Sequence, residues 1–150
     1  QMYPIATELV LTQANGGMGV TFVGVARAAL ELAVDYAKER IQGGGPIIEH
    51  QSVKLRLFEM FRKVEAARAL ARRAVMYNST STAPQLHYAI ASKVTATNTC
   101  FEVASSAVQI FGGNGLSREY PIEKVMRDAR ASMIEDGCND ILSLAGAERL

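Results

Sequence analysis

Apolar residues recur every three or four positions along most of the chain, which is the period of an amphipathic α-helix. The clearest pattern runs from about Val20 to Ile41, where two adjoining apolar stripes give a wide face to bury. The stripes consist of Phe22, Val25, Ala29, Leu32 and Tyr36, and of Val23, Ala26, Leu30, Ala33 and Ala37. We expect residues 43–46 to end this helix, because glycine permits the stop and proline cannot continue it.

Two further long helices are predicted, from about Glu49 to Asn78 and from about Gln85 to Phe111. The first of them carries one buried stripe, made of Leu57, Met60, Val64, Ala67, Ala71 and Ala74. Between Leu86 and Leu116 only Lys93 and Glu102 are charged. A helix so poor in charge is enclosed by neighbours on most sides, so we expect the third helix to be the central one.

A fourth helix is predicted from Pro121 to about Ser132, and a final short one from Cys138 to Leu150. Residues 1–16 are expected to form a lead-in segment, with the glycines that follow marking a loop or a loose helix start. No segment shows the alternating apolar and polar pattern that would predict a β-strand instead of a helix. The predicted fold class is therefore all-α: residues 17–150 form an antiparallel up-and-down four-helix bundle with an additional short C-terminal helix.

Composition limits the possible partners. The 150 residues suit one domain, and 49% of them are hydrophobic, enough for a substantial core. A formal net charge of +1 favours neither nucleic acid nor an anionic membrane as a partner. We expect no transmembrane segment. Cys100 and Cys138 form neither a disulfide framework nor a zinc site, no metal site is predicted, and the chain resembles a reduced intracellular protein.

A glycine cluster at Gly112, Gly113 and Gly115 is the first candidate for chemistry. A phosphate loop of a dinucleotide fold follows a strand, whereas these glycines follow a predicted helix. One interpretation is a helix C-cap followed by a turn. The other is a surface without side chains, against which a flat ligand such as a nucleobase lies, while Gln109 supplies a hydrogen bond.

The acidic turn, residues 135–137, is the second candidate. A carboxylate there could remove a proton alpha to a carbonyl if burial raised its pKa, or the turn could simply be an exposed Asp-Gly turn. Arg40 likewise has two interpretations. It either interacts with the dipole at the end of its helix or binds a phosphate. Cys138 follows the turn at a helix start, where a thiolate is favoured.

Four segments together resemble the C-terminal domain of acyl-CoA dehydrogenases. They read ERIQGGGP at 39–46, EHQ at 49–51, QIFGGNG at 109–115 and EYPIEKVMRD at 119–128. Their order and spacing match that domain over about residues 17–150. The domain is an antiparallel helix bundle, in agreement with the fold predicted from periodicity.

The resemblance implies an FAD enzyme of fatty acid metabolism that converts an acyl-CoA to a 2,3-enoyl-CoA. A carboxylate takes the alpha proton, the flavin takes a beta hydride, and an electron-transfer flavoprotein takes the electrons. Family members are homodimers or homotetramers in which this domain contacts the FAD of a neighbouring subunit. The residues expected to contact FAD are Arg40, Gln42, Gln51, Gln109, Phe111, Gly112, Gly113, Cys138 and Asp140. Gly137 is expected to contact the substrate.

The catalytic position departs from the family pattern. Asp136 stands where the family usually has glutamate, and Glu135 is the alternative base. Gly43 and Gln42 also replace the usual residues, as do Cys138 and Asp140. These departures keep two alternatives open: a related flavin oxidase or monooxygenase, and a non-catalytic oligomerisation module.

Length is a further departure. Family enzymes carry an N-terminal helical domain and a middle β domain before this bundle, and neither is present in these 150 residues. We therefore expect this chain to be inactive alone. The expected location is the bacterial cytoplasm, or the mitochondrial matrix for a eukaryotic protein.

Overall fold

The computed structural model describes residues 2–150, so Gln1 of the predicted lead-in segment lies outside it. Its five α-helices are α1 (Met2–Glu39), α2 (Gln51–Thr80), α3 (Leu86–Phe111), α4 (Ile122–Ser132) and α5 (Asn139–Ala147). Strands β1 (Ile41–Gln42) and β2 (Gly45–Pro46) pair antiparallel between α1 and α2. Short 3-10 helices cover Ile47–Glu49 and Gly112–Leu116. The predicted all-α bundle with a short C-terminal helix is confirmed.

Helix α3 is the central element, because α1, α2, α4 and α5 all pack against it. The core is built largely from small side chains, which let the helix axes approach closely. On α1, for example, Ala26, Ala29, Ala33 and Ala37 are each 0% exposed. The buried residues of α2 are the six of the predicted stripe, so that prediction is confirmed.

The predicted start of the first helix is wrong: α1 begins at Met2 and continues through Gly16, Gly17 and Gly19. The structure gives a physical reason for Gly19. A Cβ there would lie 2.1 Å from Ser92 Oγ and 3.2 Å from the Ser92 carbonyl carbon. Gly19 is therefore a point of close contact between α1 and α3, rather than part of a loop.

Helix α1 is also more apolar than the sequence analysis expected. The stretch Ile5–Glu39 is long enough to cross a membrane and includes an 18-residue window with a mean hydropathy of 1.5. The core helix of a soluble protein can have the same length and composition, and four alanines of α1 are fully buried in the bundle core. The lack of a transmembrane segment therefore stays a prediction.

The segment after α1 forms a hairpin where only a helix stop was expected. Gly43 and Gly44 have φ values of +64° and +92°, the left-handed conformation that a tight two-residue hairpin turn requires. The His50 ring lies 3.0 Å from the Gln42 carbonyl oxygen and closes the hairpin against the start of α2. Strands of two residues are too short to produce a periodic pattern, which is why the sequence did not reveal them.

Candidate functional site

An open cavity of about 410 Å³ lies where α1 and α3 both end. We call it the glycine cavity; it is lined by Tyr36, Arg40, Gln42, Ile47, Ile110, Phe111, Gly112, Gly113 and Asn114. Five of the residues predicted to bind a cofactor are thus brought together. Four are not: Gln51, Gln109, Cys138 and Asp140 are exposed but do not line this cavity.

An aromatic cluster supports the glycine turn. The rings of Tyr36 and Phe111 stack with centroids 4.0 Å apart, and the ring of Tyr120 meets both edge-on. Asn114 Nδ2 donates to the Tyr36 hydroxyl at 2.9 Å, and that hydroxyl donates to the Phe111 carbonyl at 3.3 Å. The side chain of Phe111, at 5% exposure, therefore belongs to the core, and the sequence analysis missed Tyr36, Asn114 and Tyr120 as supports.

The lining of the cavity includes the positive charge of Arg40 and the backbone of two residues without side chains, Gly112 and Gly113. The exposed guanidinium of Arg40 forms no ion pair with any residue that the structure describes. Gly112 has a φ of +61° where α3 ends, and a Cβ at either Gly112 or Gly113 would have no neighbour within 4 Å. An unpaired guanidinium beside side-chain-free backbone fits a flat ligand that carries phosphate.

The acidic turn lies beyond α4 and leads into α5. Glu135, Asp136, Gly137 and Cys138 are all exposed, and Asp140 is an exposed acid in the first turn of α5. This chain by itself therefore does not bury either carboxylate, although burial was the condition named for a carboxylate to act as the base. Asp136 has a φ of +51° and is the sole non-glycine residue with positive φ among residues 2–150. Asp136 thus has an uncommon backbone conformation, and residues with such conformations occur often at functional sites.

The most unusual group beneath this turn was not among the predicted site residues. The side chain of Lys93 is 0% exposed, and its Nζ donates to the Gly137 carbonyl at 2.7 Å and to Asn139 Oδ1 at 2.8 Å. Lys93 was noted only as a rare charge on an apolar helix. That rarity was the available signal, because a lone lysine on an enclosed helix must find buried acceptors.

The two candidate regions lie near opposite ends of α3. Lys93 is beneath the acidic turn and Gly112 is at the glycine cavity, so the helical rise places them about 28 Å apart. A catalytic base must come within about 3 Å of the proton it removes. Asp136 and the glycine cavity of one chain therefore cannot act on the same reacting atoms.

Comparison with known proteins identifies the class. Residues 4–150 match the family model described as acyl-CoA dehydrogenase, C-terminal domain. The chain is 39% identical over 134 residues to the short-chain specific acyl-CoA dehydrogenase of Megasphaera elsdenii, covering 88% of this chain and 35% of that protein. The fold agrees with that of butyryl-CoA dehydrogenase from Megasphaera elsdenii with a TM-score of 0.89 and 35% identity, covering 94% of this chain and 37% of the other.

A chain in a structure of the electron transferring flavoprotein of Acidaminococcus fermentans is equally similar. Its TM-score is 0.89 at 34% identity, covering 95% of this chain and 37% of that one. This chain belongs to the acyl-CoA dehydrogenase family and corresponds to its C-terminal domain. It spans about a third of the length of these relatives.

Proposed function

We propose that this chain is the C-terminal domain of an FAD-dependent acyl-CoA dehydrogenase that forms a 2,3-enoyl-CoA in fatty acid metabolism. FAD, when bound, accepts the beta hydride of the substrate. The contribution of this chain is a base that removes the alpha proton and a surface that holds the cofactor. Membership of the family supports the reaction class.

The observation that carries the proposal is the backbone at Asp136. This residue occupies the register of the family's catalytic carboxylate and adopts a left-handed conformation at an exposed turn. Exposure leaves its carboxylate accessible to a substrate that lies outside the surface of this chain. Glu135 is also exposed, but it lacks both features, so we assign Asp136 as the base and retain Glu135 as the alternative.

The glycine cavity is the proposed contact for the diphosphate side of FAD. Arg40 supplies the charge, and Gly112 and Gly113 let the ligand approach the backbone. We extend the same role to Gln42, which lines the cavity, and to Gln51 and Gln109, which reach FAD from the surface around it. For Phe111, whose side chain is buried, the contact is through the backbone. At the other end of α3, Cys138 and Asp140 are proposed to contact a second FAD, and Gly137 the substrate.

Self-association is part of the proposal. Because Asp136 and the glycine cavity lie near opposite ends of α3, where Lys93 and Gly112 are about 28 Å apart, we propose that they serve two different active sites in a homodimer or homotetramer. Helix α2 offers an apolar surface for such contacts, with Leu55, Phe58 and Phe61 exposed by 72%, 65% and 49%. An isolated copy would hold no complete site, so we expect it to be inactive. An electron-transfer flavoprotein is the proposed electron acceptor.

Replacing Arg40 with glutamine tests the cofactor contact. We expect FAD affinity to fall by about 10- to 100-fold, because a charged hydrogen bond contributes about 1.5–3 kcal/mol. The measurement is a titration of FAD into the cofactor-free form of the complete product of the gene that encodes this chain. The matched control is Arg73→Gln, since Arg73 is also exposed and has no ion pair in the described part of the chain. Equal FAD affinities of the two variants would show that Arg40 does not contribute to FAD binding.

A further inference from the structure

The side chain of Lys93 is a buried cation, and no carboxylate among residues 2–150 is bound to it. It is 0% exposed, and it forms no ion pair within the described range 2–150. An ammonium group removed from water needs compensating hydrogen bonds. Lys93 obtains two of them: one from the Gly137 carbonyl, in the last residue of the acidic turn, and one from Asn139 Oδ1 at the start of α5.

These acceptors belong to a strained piece of backbone. Asp136 and Gly137 have consecutive left-handed φ values of +51° and +101°. Glycine adopts such a φ freely, but for Asp136 it is an uncommon conformation, which the surrounding contacts help to hold. The Lys93 ammonium, on α3, donates a hydrogen bond to the carbonyl of Gly137, the residue that follows Asp136. On the other side, Leu142 fills the space beside Gly137, where an added Cβ would lie 3.1 Å from its side chain.

Further hydrogen bonds secure the base of the turn, and the Glu135 backbone N–H donates to the Ala131 carbonyl of α4 at 3.1 Å. Asn139 Nδ2 donates to Thr97 Oγ1 at 2.9 Å and to Asn98 Oδ1 at 3.0 Å, which ties the start of α5 to α3. The Asn139 backbone N–H donates to the Met133 carbonyl at 3.0 Å and closes the loop. Glu135 and Asp136 project from this fixed base as exposed residues.

The charge of Lys93 acts in the same direction as its hydrogen bonds. Burial lowers the pKa of Lys93, and the neighbouring Cys138, Asp136 and Glu135 oppose that shift. The ammonium therefore interacts electrostatically with the acidic turn as well as with its backbone. Both effects favour one position of the turn relative to α3.

We infer that Lys93 is a positioning residue for the catalytic base, holding the Gly137 carbonyl so that the Asp136 carboxylate is fixed at the substrate alpha carbon. This inference rests on the proposed function, in which Asp136 removes the alpha proton. Lys93 itself touches no reacting atom. A misplacement of about 1 Å at the base can cost on the order of 100-fold in rate, so holding the turn has a measurable effect.

Lys93→Met tests the inference in the complete gene product loaded with FAD. The variant keeps the length of the side chain and removes its charge and donors. With butyryl-CoA as the probe, we expect the limiting rate of flavin reduction to fall by on the order of 100-fold, with KM and bound FAD nearly unchanged. The deuterium isotope effect at the alpha carbon should increase, because proton removal becomes more fully rate-limiting.

The control is Ser92→Ala, the neighbouring residue on α3. Ser92 is 1% exposed and its hydroxyl has no hydrogen-bond partner among the residues that the structure describes, so its removal should leave the rate within about twofold. Lys93→Gln provides a second variant if the methionine form does not fold, since the amide retains a donor. A smaller loss of rate with a raised isotope effect in Lys93→Gln supports the inference.

A folded Lys93 variant that reduces flavin at the wild-type rate would overturn the inference. So would a variant with a lowered melting temperature but an unchanged isotope effect, because that pattern belongs to a purely structural residue. Failure of the proposed function has a different signature. In that case removal of the Asp136 carboxylate would itself leave flavin reduction intact.

Discussion

Replacing Asp136 with asparagine lowers the rate of flavin reduction by butyryl-CoA by roughly 10³- to 10⁴-fold in the complete gene product, the upper range for loss of a general base. Asparagine has nearly the same shape and, like aspartate, tolerates the φ of +51° found at this position. The turn and the bound FAD should therefore persist. The measurement is rapid mixing under anaerobic conditions, with FAD content determined on the same samples.

Glu135→Gln is the matched control, since Glu135 is the adjacent exposed carboxylate. We expect its rate to stay within about twofold of wild type, as for most surface substitutions. The opposite pattern, with Glu135→Gln inactive and Asp136→Asn active, would show that the base assignment is wrong. If both variants reduced flavin at the wild-type rate, neither carboxylate of the acidic turn would be the catalytic base.

The second large effect is on stability. Gly19→Leu should lower the free energy of unfolding by about 3 kcal/mol, because a side chain at this point of α1 has no room against α3. Even a Cβ would lie 2.1 Å from Ser92 Oγ, and the serine backbone limits how far the contact can relax. The measurement is urea denaturation of the wild-type and variant chains followed by circular dichroism.

Gly24→Leu provides the comparison within the same helix. Gly24 is exposed, and a Cβ there meets no atom within 4 Å. Leucine is a better helix former than glycine, so this variant should gain about 0.5–1 kcal/mol. Similar unfolding free energies for the two variants would contradict the close contact between α1 and α3.

Periodicity predicted the elements that bury a single regular stripe. The six buried residues of α2 followed directly from their spacing, and the lack of charge around Lys93 correctly marked α3 as central. The start of α1 could not be predicted in this way. Three glycines in four residues indicate a loop when considered locally, and only the opposing Ser92 on α3 explains why glycine is required at Gly19 within the helix.

The candidate site was predictable where its residues are contiguous in sequence. The resemblance drew attention to Arg40 and the glycine pair, and these residues line one cavity. The groups that hold the site were not predictable. Tyr36 contacts Asn114 from 78 residues away, and Lys93 contacts Gly137 from 44 residues away. No local pattern connects such positions, because their contacts depend on how α1, α3 and the turns pack.

Anaerobic mixing of the complete, FAD-loaded gene product with butyryl-CoA tests the central claim most directly. We predict that the visible absorbance of oxidised flavin is lost, that a 2,3-enoyl-CoA forms, and that an electron-transfer flavoprotein restores the absorbance. Restoration by oxygen alone, with oxygen consumed during turnover, would instead identify an oxidase or monooxygenase. An oligomer that binds no FAD, or whose flavin stays oxidised with butyryl-CoA and with longer and branched acyl-CoAs, would contradict the account of this chain as part of an active acyl-CoA dehydrogenase.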